Sequence, residues 1–430
     1  MRRISRGVCL TACLAAAAFV VSSLMPMAAC ARAADTAPPS ARTDNTAPPS
    51  AKAAATKPAA PTEEEGRQWA ALFEKAVRKG DLSACNELID WDALLDKATA
   101  YPNAPPELNK QRGDFVKGAK STSRSATGFT GQVCQGVLRG GNYKFLHSRL
   151  VDGQRRAEFR MITKEGGLNY HDFVLASDDG GLVRAVDCYV FLTGQMLSEA
   201  VRESFLPFAR NWVKGGLGQL SPAERDFLAN FSEFTAMVDS FHEKEHRQVL
   251  ETYKRLPESL KKMKTILAIR LGSAQSISNE EYLQAIDDYR KFYPKDASID
   301  LIALDAFAMR KAYSQAQLGV DHVDKAVGGD PYLNVLRANL LLSQGKSDEA
   351  WKTTEAAIAA EPTLRVAYFS LLGQALKERK FAKTAELLST LESKFKMKFK
   401  DLTTVPAYAE FVKSDDYKKW IKSHHAATDE

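Results

Sequence analysis

Residues His242–His246 read HEKEH. Carried on one continuous helix, such a pattern sets two imidazoles side by side, able to hold a zinc ion, with Glu243 placed as a general base for hydrolysis. A buried site of that kind needs uncharged residues at its two middle positions. Here they are Lys244 and Glu245, and burying unpaired charges is costly. Ser240 and Glu243 also fit S-x-x-E, the capping box that opens a helix, with Phe241 starting a stripe continued by Val249, Leu250 and Tyr253. That reading puts His242 in a first helical turn. The acids downstream, Glu258, Glu280 and Glu281, supply no recognisable third ligand. No bound metal and no catalytic residue are expected from the motif.

The other groups able to do chemistry are His147, His171, Asp172 and Asp187. In "LNYHDFVLAS" the alternation places His171 on the face of Phe173 and Leu175, while Asp187 alternates with Ala185, Tyr189 and Phe191. Both can then enter one pocket, where a His–Asp pair favours general-base chemistry. The bland alternative is a hydrogen-bonded polar pair, or two residues that never meet. No nucleophile or phosphate-binding loop accompanies them, so no cofactor is expected. Cys85, Cys134 and Cys188 make an odd count in the folded part, which rules out a complete disulfide framework. Cys134 and Cys188 both fall on predicted strands and could pair. Free buried thiols are the default expectation.

The elements that must position these groups fall into two styles. From 63 to 208 the pattern predicts an α+β domain. "EEEGRQWAALFEKAVRKG" sets Trp69, Leu72, Phe73, Ala76 and Val77 on one helical stripe ending at Gly80. "DLSACNELIDWDALLDKAT" continues in the same style. The basic run Lys110–Arg124 lacks the interleaved aromatics of a nucleic-acid surface and reads as a solvated loop. "QVCQGVL", "NYKFLHSRLV", "RRAEFRMIT", "LNYHDFVLAS" and "LVRAVDCYVFLTG" then read as strands. Asp152-Gly153, Gly166-Gly167 and Asp179-Gly180 mark turns between them. Helices followed by an antiparallel meander are similar, in element order alone, to the nuclear-transport-factor-like and cystatin-like cone folds. That resemblance implies a sheet wrapped around a helix and a cavity for a small ligand.

From 220 to 398 the chain is helical. In "DPYLNVLRANLLLSQGKSDEAWKTTEAAIAAEPT" small residues stand at Ala338, Ala350 and Ala357, twelve and seven apart, with Gly345 between the two helices and Pro362 after them. Small side chains let paired helices approach, Gly permits a left-handed turn, and Pro stops the second helix. This spacing resembles the tetratricopeptide repeat, a helical hairpin of about 34 residues. The next unit repeats the spacing from Gly373 to Ala385, with Phe369 at an aromatic position and Glu392 replacing the last small residue. About five helix pairs are expected. The resemblance implies an all-α solenoid whose groove takes a protein or peptide segment. "KFKMKFK", Lys394–Lys400, alternates so that Phe395, Met397 and Phe399 share one face. It is expected to dock on the last repeat rather than on lipid. Residues 399–430, with Tyr408, Phe411, Val412, Tyr417 and Trp420, are expected to cap the helical end.

Residues 1–33 read as an export signal, three arginines before an apolar run and small residues. "ARA" before Ala34 suits ordinary cleavage; "MAAC" resembles a lipobox that would leave Cys30 lipidated. Residues 34–62 are Ala/Pro-rich and hold no large apolar side chain, a disordered tether. Half of the net charge of +6 belongs to Arg2, Arg3 and Arg6, too little remaining for a nucleic-acid case. The reading is an exported, non-catalytic scaffold at the bacterial cell envelope, periplasmic or membrane-attached only through Cys30, with protein or peptide partners. The rival is an α+β domain that binds or transforms a small molecule, the repeats serving as support.

Overall fold

A computed structural model describes residues 60–101, 106–178, 180–213, 220–399 and 401–426. The expected export signal, the candidate lipidation site Cys30, nearly all of the expected tether and Asp179 lie outside the described residues.

Helix α1 (Glu63–Lys79) starts where Thr62 and Glu65 cap each other and stops at Gly80, whose φ of 69° is left-handed. Its stripe of Trp69, Phe73, Ala76 and Val77 is buried, while Leu72 stays exposed. Helices α2 (Leu82–Glu87) and α3 (Trp91–Thr99) follow. The basic run is no loop but the greater part of helix α4 (Pro106–Ser123). Leu108, Phe115 and Ala119 are buried along one side of it, while Lys120 reaches Asp92 at 2.6 Å and Arg112 pairs with Asp96. "QVCQGVL" is likewise helical, within α5 (Phe129–Leu138). Its burial at Phe129, Val133 and Cys134 has helical spacing, and this packing overrides the local β-propensity of its residues.

The sheet is antiparallel and meanders in order: β1 (Asn142–Val151), β2 (Gln154–Ile162), β3 (Leu168–Ser177), β4 (Val183–Val190) and the short β5 (Gln195–Met196). Asp152 and Gly153, with φ of 50° and 73°, make the β1–β2 turn. Tyr143, Phe159 and Phe173 form, with Trp69 and Phe73 of α1, a cluster of edge-to-face and stacked rings.

Among the described residues the sheet is followed by α6 (Leu197–Val213), α7 (Pro222–Ala229), α8 (Phe231–His242), α9 (His246–Arg255), α10 (Glu258–Lys261), α11 (Lys264–Ile277), α12 (Asn279–Phe292), α13 (Ala297–Met309), α14 (Tyr313–Val327) and α15 (Pro331–Ser343). Then come α16 (Ser347–Ala360), α17 (Arg365–Lys377), α18 (Phe381–Phe395) and α19 (Asp415–Ala426). The described residues form two compact units, divided between Ala306 and Phe307. The division falls inside α13, beyond the 208–220 boundary that the change of sequence period points to. The reason is packing: Phe227, Phe234, Met237, Val249, Leu260 and Ile266 belong to the same apolar cluster as Trp69 and Phe173. Polar ties add to this, Arg202 to Glu224 at 2.8 Å and Tyr189 to Asp296 at 3.3 Å.

In the second unit Phe395, Met397 and Phe399 pack against the cluster that holds Tyr368, Leu388, Phe411 and Trp420. The C-terminal aromatics sit on two short 3-10 turns, Pro406–Tyr408 and Phe411–Lys413, and on α19. No described helix is long and apolar enough to cross a membrane.

Candidate functional site

HEKEH does not lie on a single helix. His242 ends α8, Lys244 turns left-handed at φ 62°, and His246 begins α9. The capping box expected at Ser240 and Glu243 is therefore a helix end instead. The two imidazoles belong to different helices, and His246 Nδ1 faces Ser273 Oγ at 3.5 Å. A helix broken at Lys244 cannot give the i, i+4 pairing a zinc site needs. Among the described residues no three His, Cys, Asp or Glu side chains gather to hold a metal.

What HEKEH does is turn the chain, and the same turn recurs. Left-handed residues occur at Lys244, Lys311, Gly345 and Arg379, with φ of 62°, 55°, 78° and 56°. In each case the next residue's N–H donates to the carbonyl five residues back. The bonds are Glu245 to Ser240 (2.8 Å), Ala312 to Phe307 (2.8 Å), Lys346 to Leu341 (3.0 Å) and Lys380 to Ala375 (2.9 Å). This is a Schellman closure, which satisfies carbonyls that a helix end leaves unpaired. Lys311, Gly345 and Arg379 are 34 residues apart. Helix starts recur every 33 or 34 residues: 231, 264, 297, 331 and 365 for the leading helices, 246, 279, 313, 347 and 381 for the returning ones. The α11–α12 pair alone turns differently, with extended Ser278 capping α12 through Glu281 N.

The small residues have the burial their spacing predicts at Ala338, Ala350 and Ala357, each 0 % exposed. Pro362 follows the end of α16, exposed, and its carbonyl accepts from the Tyr368 hydroxyl at 3.1 Å. The second unit is offset by one residue from the sequence reading. One 34-residue step from those alanines leads to Leu372, Thr384 and Leu391, all buried. Gly373, Ala385 and Glu392 are partly exposed, and a Cβ on Gly373 would meet nothing within 4 Å. The hairpin requires a side chain that fills the space between its helices. Leu372 and Thr384 do that without being Gly or Ala, the Thr384 hydroxyl donating back to Lys380 O at 3.0 Å.

His171 and Asp187 do not meet. Strand register pairs His171 with Val190 and Phe173 with Cys188, whereas Asp187 lies opposite Val174 beside a bulge. Cross-strand partners share a face and neighbours alternate, so His171 joins the ring cluster and Asp187 belongs with the opposite set. His171 is saturated. Asn169 Oδ1 accepts from Tyr170 N and Leu192 N, so its Nδ2 donates to His171 Nε2 at 3.0 Å. Nδ1 then carries the proton, 3.1 Å from the Tyr143 oxygen. Burial pushes the imidazole down to about 3, keeping it neutral. Phe129 covers it with ring centres 5.1 Å apart. It is a core histidine with no nitrogen left for a substrate. Asp187 takes Lys97 Nζ at 2.7 Å and Ser198 Oγ at 2.5 Å, and Ser198 N at 3.1 Å. Its carboxylate so closes the N-terminus of α6.

The face of the sheet away from α1 carries charge that the alternation in "RRAEFRMI" announces: Arg156, Glu158 and Arg160. Arg149 pairs with Glu158 at 3.0 Å and with Asp172 at 3.5 Å, and Arg156 with Asp172 at 3.4 Å. Burial raises the Asp172 carboxyl against the pull of both arginines. Asp172 thus anchors ion pairs on this face, and His147 stands opposite Glu158 in the β1–β2 register.

Of the three thiols, Cys134 lies on α5 and not on a strand. Its sulfur is 3.7 Å from that of Cys85, whereas Cys188 on β4 donates to Tyr189 O at 3.6 Å. The possible Cys134–Cys188 pairing does not form, Cys134 lying against Cys85 instead, and all three are free thiols, as expected.

The chain matches no family model, no curated protein and no solved structure.

Proposed function

We propose that this is a non-catalytic scaffold of the bacterial envelope, exported, whose helical hairpins form a tetratricopeptide-like array that binds a protein or peptide segment. The observation that carries this is the recurrence of helix starts every 33 or 34 residues, with the same left-handed closure at four of five turns. Such a step builds stacked hairpins, each burying its neighbour's apolar side and leaving one helix of every pair to line a binding surface. On α17 that surface has an apolar feature. Phe369 remains 37 % exposed, and Gly373, one helical turn on, leaves bare backbone beside it. An aromatic ring next to a glycine notch suits a peptide side chain. Ser370 reaches back to Asn339 of α15 at 3.5 Å, holding the two leading helices together there.

The test uses the full chain with a photo-crosslinking phenylalanine analogue in place of Phe369, and separately of Leu72, which is 55 % exposed on α1. In envelope extract, discrete protein adducts through position 369 and none through 72 are expected. Equal labelling at both positions, or no adduct at 369, overturns the reading.

A further inference from the structure

Cys85 and Cys134 are held against each other by more than apolar packing. Asn86, the residue after Cys85, accepts at Oδ1 from Thr130 Oγ1 at 2.9 Å and from Trp91 Nε1 at 3.2 Å. Its Nδ2 donates to Arg124 O at 2.9 Å, so this one buried amide ties α2 to α5 and to the segment before it. Thr130 stands one helical turn before Cys134. The clamp sets the two sulfurs 3.7 Å apart, with the residues 0 % and 3 % exposed. Either sulfur can donate to the other across this contact, and the contact lowers the Cys134 thiol against the opposing effect of burial. Cys134 is thus the readier of the two to become a thiolate.

We infer that Cys85 and Cys134 are a disulfide site, closed by exchange with an oxidised dithiol or a glutathione-type disulfide, and that Cys188 stays a free thiol. The Cys134 thiolate attacks one sulfur of the incoming disulfide and expels the other as a thiol, leaving a mixed disulfide. Cys85 loses its proton and attacks the Cys134 sulfur, and the second small thiol leaves. Two electrons and two protons pass to the oxidant for one S–S bond made. Both cysteines are closed off in the folded chain, so exchange takes place while α2 or α5 is undocked, during folding or local opening. The inference does not depend on what the hairpins bind.

The experiment folds the full chain in a mixture of reduced and oxidised glutathione, blocks remaining thiols under denaturing conditions and maps the peptides. A peptide joining Cys85 to Cys134, with Cys188 blocked, is the expected result. A Cys85→Ser chain, treated alike, should show Cys134 blocked. In the wild type, reducing agent should lower the thermal midpoint, and in Cys85→Ser leave it unmoved. Blocked Cys85 and Cys134 in the wild type, or a Cys134–Cys188 peptide, would overturn the inference.

Discussion

The equivalence of the turns at 311, 345 and 379 makes a prediction whose size follows from backbone geometry. A left-handed residue other than glycine costs roughly 1–2 kcal/mol. Glycine gives back roughly 0.5–1 kcal/mol through the greater freedom of its unfolded chain. At each of these positions Gly should therefore be preferred over Ala by about 1 kcal/mol. Position 345 isolates the term, because a Cβ there meets nothing within 4 Å and only the φ of 78° resists it. Comparing Lys311→Gly with Lys311→Ala, and Arg379→Gly with Arg379→Ala, removes the charge in both members of each pair. This cancels the exposed Arg379–Glu410 contact at 3.5 Å. Gly373 is the internal control. It lies within α17 with open space around it, so Gly373→Ala should stabilise by about 0.5–1 kcal/mol, helix propensity being the only change. Native-state amide exchange along α15–α18 reads the difference locally, about fivefold in rate per 1 kcal/mol. If Gly345→Ala is neutral, or if alanine outperforms glycine at 311 or 379, the turns are not equivalent. The 34-residue period then carries no structural weight.

Ala338→Leu and Ala350→Leu should each cost about 1–3 kcal/mol by overpacking the hairpin, while Ala385→Leu should cost well under 1 kcal/mol, as thermal melts of the three chains would show. Equal effects at 350 and 385 would restore the register read from the small residues. Burial pushes the Glu203 carboxyl up to about 7, opposed by its hydrogen bond from Thr265. Its folded pKa exceeds the unfolded one, so the stability it contributes is complete below about pH 4.5 and is lost as pH rises through 7. Glu203→Gln should remove that loss, raising stability at pH 8 by about 1–2 kcal/mol and leaving it unchanged below about pH 4. The full shift is discounted because the residue is partly exposed. A melting-temperature profile that stays parallel to wild type from pH 5 to 8 would refute this.

Much of the local structure was legible. Four of the strand segments, the stripe of α1 and the first hairpin follow from periodicity, because alternation and the 3.6-residue repeat reflect which side chains must leave water. The misreadings share a cause. "QVCQGVL" has strand-forming residues, but Phe129, Val133 and Cys134 pack as a helix side. HEKEH matches a metal motif and a capping box on paper, yet Lys244 takes the left-handed turn that Gly345 takes in a sequence with an evident signal. Lysine and arginine at three such turns hide the period from composition, since hydrogen bonding to helix carbonyls decides the conformation there.

The sequence by itself determined an α+β layer followed by helical hairpins, because hydrophobic spacing is a local property of the chain. It could not say that His171 and Asp187 stay apart, that Cys134 meets Cys85, or that Leu372 and Thr384 hold the places of Ala338 and Ala350. Those depend on strand register, on a bulge next to Asp187 and on how helices dock. Such contacts join residues far apart in the chain, and only the folded core selects among them.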